Sequence, residues 1–132
     1  MATPISVGDI IAISTLLFKT YNRCKDASRE LRELSNLLNS AYLNLESVRH
    51  AVEPVFSSLP YTHQVNLANS LFGIRAIATD ISNDLGMYDF YRGSGMSMTK
   101  LKFAILQNPR DAESRLTARL TSLNTCMSAI HL

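Results

Sequence analysis

The feature that most constrains the fold is a run of apolar residues spaced alternately four and three apart. Ala27, Leu31, Leu34, Leu38, Ala41, Leu45, Val48 and Val52 keep this spacing for nearly four heptads. It lines one face of an α-helix and demands a packing partner along the whole length. A strand would need a period of two. Arg29, Glu30, Arg32, Glu33, Asn36, Asn39, Asn44 and Glu46 form the opposite, solvated face of a helix from Asp26 to Val52. Pro54 and the stretch Ser57-Ser58-Leu59-Pro60 end it. The spacing then returns in Leu67, Leu71, Ile74, Ala78, Ile81 and Leu85, giving a helix from Thr62 to Leu85. Gly86 suits the left-handed residue that closes such a helix. Two heptad segments on a short link predict a helical hairpin.

Two further segments complete the pattern. A first helix runs from Val7 to Arg23, with Ile10, Ile13, Leu17 and Tyr21 on one face. Ile11 and Phe18 widen that face, and Leu16 sits almost opposite. Residues 86–97 read as irregular, with Gly93-Ser94-Gly95 as a turn, followed by a short helix from Met98 to Leu106. Asn108 then offers an N-cap, Pro109 a first helical residue and Asp111 a first-turn acid. The last helix carries Leu116, Leu120, Leu123, Met127 and Ile130. It is still in phase near the end of the sequence, as expected of a piece of a longer protein. The expected fold is all-α: an antiparallel four-helix bundle of one domain, residues 1–132, whose last helix is preceded by a short extra helix. Hydrophobic residues at 46% and charged residues at 18% fit a folded domain. A chain of 132 residues is long enough to bury roughly 65–70% of its unfolded surface without staples.

Chemistry is sparse. A formal net charge of +2 is far from the dense basic stripe that nucleic acid requires. Cys24 and Cys126 form no CxxC and read as buried thiols. His50, His63 and His131 lie on separate segments with no second ligand at metal spacing, and no phosphate loop or nucleophile elbow occurs. No signal peptide is expected from the opening residues, and no apolar run reaches the ~18 residues that a membrane-spanning helix needs. The expectation is therefore a non-enzymatic cytoplasmic domain without metal, cofactor, nucleic acid or small-molecule substrate.

Binding is left as its work. The first helix has two readings. It is either the most buried helix of the bundle, or a helix held only conditionally, which leaves to enter a bilayer or a partner. Ile5, Asp9, Ile10, Ile11, Ile13, Leu16, Leu17 and Phe18 are the insertion candidates on the second reading. Asp9 also fits a first-turn acid favoured by the helix dipole. Lys19, Arg23 and Lys25 form either a solvated face or a contact for anionic lipid headgroups. Leu37, Tyr42 and Leu43 lie off the main seam, covered by another helix or by a partner. Tyr88, Phe90 and Tyr91 either pack a loop or present a partner surface.

Several stretches also carry a family likeness. Ser6-Val7-Gly8-Asp9-Ile10-Ile11-Ala12 opens the first helix, and Ala27-Ser28-Arg29-Glu30-Leu31-Arg32-Glu33-Leu34 opens the second. Lys100-Leu101-Lys102-Phe103-Ala104-Ile105-Leu106, Arg115-Leu116 and Ser122-Leu123-Asn124 follow. Together they resemble the HeLo-like N-terminal domains of fungal STAND (NOD-like receptor) proteins, across nearly the whole chain. Phe103 stands where many relatives carry Trp. The resemblance implies a helical bundle at the N-terminus of a longer receptor. Related HeLo domains, and the similar coiled-coil bundles of plant resistance receptors, execute regulated cell death. They do so by oligomerising and releasing the N-terminal helix into the membrane. The corresponding segment here is Ile5 to Tyr21. By the same resemblance the partners are further copies of the chain, the rest of the receptor and membrane lipids, with the plasma membrane reached on activation. The alternative is an adaptor or oligomerisation bundle without membrane activity.

Overall fold

The computed structural model describes residues 5–25, 31–93 and 109–130. Every described element is helical: α1 (Val7–Lys25), α2 (Arg32–Val52), a 3-10 segment (Glu53–Ser58), α3 (Tyr61–Gly93) and α4 (Pro109–Ile130). They form a helical bundle around one core. The expected short helix from Met98 to Leu106, and the start of the second helix at Asp26, lie outside the described residues.

The heptad seams are the core. Leu31, Leu34, Leu38, Ala41, Leu45, Val48 and Val52 of the first seam are all buried, as are Leu67, Leu71, Ile74, Ala78, Ile81 and Leu85 of the second. Burial of each large side chain stabilises the bundle by roughly 1.5–3 kcal/mol. On α4 only Leu116, Leu123 and Cys126 are buried, with Leu120, Met127 and Ile130 packed partly against them. The stripe of α4 is shallower than its regular spacing predicts, and Cys126 is buried one residue before the expected Met127.

Helix pairing differs from the simple hairpin expectation. α1 packs against α2 and α3, and α4 packs against the same two. α2 and α3, consecutive in sequence, are not principal neighbours. The 3-10 segment separates them, and Gln64 fixes that link. Its buried side-chain amide donates to the carbonyl oxygens of Phe56 (3.4 Å) and Leu59 (3.0 Å).

α3 also corrects an expected boundary. It does not stop at Gly86 but continues to Gly93. A glycine inside a helix costs about 1 kcal/mol against alanine, and no proline or second breaker follows until Gly93. The intrahelical ladder therefore runs through. Residues 86–93 are helix and not the expected irregular stretch, of which 94–97 lie outside the described residues.

Candidate functional site: α1 and its seat

α1 begins with a self-contained cap. The Ser6 backbone N–H donates to Asp9 Oδ2 (2.8 Å), and the Asp9 N–H donates back to Ser6 Oγ (3.2 Å). This is the reciprocal capping box, with Asp9 at the third helical position. Ile5, just before the cap, and Ile10, four residues into the helix, are both buried, as in a hydrophobic staple. Asp9 is therefore engaged in ending its own helix.

The insertion candidates divide by face. Ile5, Ile10, Ile13 and Leu17 are in the core, and Leu16 is half-buried against it. Ile11 and Phe18 are the exposed ones, at 44% and 43%. This reverses the expected roles of Leu16 and the Ile11/Phe18 pair. The cause is that α1 is covered on two sides. Leu16, Thr20 and Arg23 share a strip, and the Arg23 guanidinium at its end donates to the Ser82 carbonyl (3.3 Å) and hydroxyl (3.0 Å) of α3. Ile11 and Phe18 fall on the outer rim of the α2 side, where the Phe18 ring lies near those of Tyr21 (6.5 Å between centroids) and Tyr42 (5.1 Å).

Polar groups on the buried side of α1 are few. Ser14 is 1% exposed and donates to Glu46 Oε1 of α2 at 2.7 Å. Thr20 satisfies itself on the Leu16 carbonyl (2.7 Å). Glu46 accepts also from Arg49 (2.7 Å), and Arg49 reaches Glu53 (3.5 Å). The hydrogen bond from Arg49, and then that from Ser14, hold the Glu46 carboxyl below its ordinary range. Arg49 Nε is enclosed without an acceptor.

The remaining candidates are placed as follows. Lys19, Arg23 and Lys25 are all exposed; Lys25 lies 5.5 Å from the Tyr21 ring centre, and Arg23 ties α1 to α3. Leu37 and Tyr42 are half-buried against the core, whereas Leu43 is 58% exposed. Tyr88, Phe90 and Tyr91 belong to the helical backbone of α3, and their side chains lie outside the described ones.

Among the described residues the candidate chemical groups stand on separate helices. Cys24 and Cys126 are buried free thiols. Burial, and then the charge of Glu113, push the Cys24 thiol up to about 11, away from nucleophilic use. His50 is exposed and His63 half-buried, while His131 lies outside the described residues. Two shallow clefts of ≈ 320 and ≈ 330 Å³ follow the α3–α4 seam. Asp80, Asp84 and Asp111 line the first, and Arg115 bridges Asp80 (3.3 Å) and Asp111 (3.8 Å) there. Among the described residues no group of three His, Cys, Asp or Glu is placed to hold a metal ion. None of the described helices is long and apolar enough to cross a membrane by itself.

The sequence pattern missed the Ser14–Glu46 contact. Glu46 reads as one charge of a solvated face, and no spacing in the sequence pairs it with Ser14. The available signal was Ser14 lying between Ile10, Ile13 and Leu17 on the inward stripe.

Comparison of the chain with protein-family models, with curated proteins and with solved structures finds no match.

Proposed function

We propose that this bundle is the N-terminal effector domain of a NOD-like receptor, of the HeLo-like kind. On this reading it is non-enzymatic and cytoplasmic at rest. Clustering by the rest of the receptor makes it self-associate and engage the plasma membrane with α1, inducing regulated cell death. The four helices are read as antiparallel. Ser14 with Glu46 and Phe18 with Tyr42 run in opposite order along α1 and α2, as do Ser70 with Ser122 and Asp80 with Arg115 along α3 and α4, which supports that arrangement.

The observation that carries the reading is that α1 is apolar on two faces. Ile10, Ile13 and Leu17 fill the core, while Ile11 and Phe18 remain outside it. Its cap is made wholly of its own residues, so the helix keeps its N-terminal stop wherever it goes. Moving these apolar side chains into acyl chains gains roughly as much as burying them in protein. α1 alone does not meet the requirement for a spanning helix, so assembly is part of the mechanism. In such an assembly an acid such as Asp9 needs an aqueous lumen shared between copies, or the membrane surface. Lys19, Arg23 and Lys25, at the other end, suit anionic headgroups.

Expression in fungal cells tests this directly. The chain fused to a forced oligomeriser is expected to kill, and the same fusion lacking residues 1–21 is expected to be harmless at equal level. Killing by the truncated fusion contradicts the reading.

A second reading, an adaptor bundle without membrane activity, is favoured by the exposure of Leu43 beside Tyr42. Leu43→Glu separates the two. A folded variant that has lost its activity supports the adaptor, and one that still kills supports membrane action through α1.

A further inference from the structure

Resting on the reading that α1 leaves the bundle, the contacts of α1 point to what holds it there. Most of its seat is apolar: Ile5, Ile10, Ile13, Leu17 and Cys24 against the shared core. Apolar contacts of this kind are nearly as favourable in hydrocarbon or against another apolar surface. They bind α1 but choose weakly between the bundle and such an alternative. A conformational equilibrium is biased only by interactions that differ between its two states. The groups that do differ are polar and directional.

Among the described residues, α1 has two such side-chain ties besides the weak contact of the Cys24 thiol with the Leu31 carbonyl (3.6 Å). Arg23 donates to Ser82 at the exposed end of the helix. Ser14 donates to Glu46 from the middle of the buried stripe, at 2.7 Å. The second is the costlier to lose, because the buried Ser14 hydroxyl is left without its acceptor, while the carboxylate gives up a charge-assisted hydrogen bond. Glu46 is also held in position by its own helix. Arg49, one turn on, donates to Oε2 (2.7 Å), and Glu53, a further turn on, anchors Arg49 (3.5 Å). The carboxylate thus keeps one oxygen for its own helix and turns the other toward α1.

We infer that Glu46 is a latch, a positioning residue on α2 whose carboxylate, braced by Arg49, holds α1 in the bundle through the Ser14 hydroxyl. Whatever takes that carboxylate away releases α1 before it unfolds the rest of the bundle. A stretch with nothing but leucine-like contacts would instead let go only with the whole core.

Amide hydrogen exchange on the full 132-residue chain tests the latch without a membrane or a cell. Glu46→Ala is expected to speed exchange across residues 10–21 by about tenfold or more, with α3 amides between 67 and 81 unchanged. Ser14→Ala, a smaller and fold-conserving change, is expected to act in the same place more weakly. Arg115→Ala, which removes surface ion pairs between α3 and α4, is the control and leaves α1 unaffected. The latch is overturned if Glu46→Ala leaves α1 exchange as it was, or if α1 and α3 lose protection together. Fast α1 exchange in Glu46→Ala, with harmless expression of the same variant fused to the oligomeriser in fungal cells, sinks the membrane reading and leaves the latch standing. Unchanged exchange sinks the latch whatever happens in cells.

Discussion

Carboxylates in two settings set the pH response of this bundle residue by residue. Glu46 is held low by its hydrogen bonds from Arg49 and Ser14. Its contribution is present above the unfolded carboxylate range and is lost as pH falls through the lower, folded one. Glu113 is the opposite case. Burial, and then the charge of Glu33, raise its carboxyl despite Arg110. An acid raised on folding contributes most when protonated, and that contribution is lost as pH rises through the folded value. At neutral pH Glu113 therefore works against the fold. Glu113→Gln is expected to raise the melting temperature at pH 7 by about 1–2 °C, and the gain should vanish in acid where glutamate is itself neutral. A melting curve at each pH checks it; a lower melting temperature at pH 7 contradicts the assignment. Neither environment was legible in the sequence. Glu46 and Arg49 stand three apart and hint at a local pair, but the hydroxyl that completes the network lies thirty-two residues earlier.

For the elements, regular spacing was the reliable guide. Every described member of the two long seams is buried, from Leu31 to Val52 and from Leu67 to Leu85. Spacing fails where a helix has two neighbours. On α1 it put Ile11 and Phe18 on the inner face, because a single-stripe reading does not know that α3 covers the Leu16 side. The end of α3 shows a different limit. Gly86 has the chemistry of a terminator, yet the helix passes through it. A Cβ there would meet only Arg23 Nη2, at 3.8 Å, an ordinary contact. Gly86→Ala is accordingly expected to stabilise the chain by about 0.5–1 kcal/mol, the propensity gain of an interior helical position. Denaturant unfolding measures it. A loss of similar size would mean that Gly86 closes the helix in a left-handed conformation after all.

At the scale of the whole molecule, α1 and α4 stand between α2 and α3 and share both as neighbours. Heptad seams announce that each helix needs a partner but not which one, so this pairing was beyond the sequence. It matters for α1, which is covered by α2 and α3 and keeps an uncovered face bearing Ile11 and Phe18. The central claim of the account is that this helix exchanges its seat in the bundle for the interior of a bilayer. The chain contains no tryptophan, so the Phe18→Trp variant carries a single indole, excited apart from the tyrosines, as a reporter on α1. The most direct measurement is its emission on vesicles containing anionic lipid, with the chain fused to an oligomeriser. Bromine atoms placed deep in the acyl chains are expected to quench it, and aqueous iodide is expected to lose access. An indole that stays open to iodide and untouched by deep bromine would mean that α1 remains in its seat, and the account would be wrong.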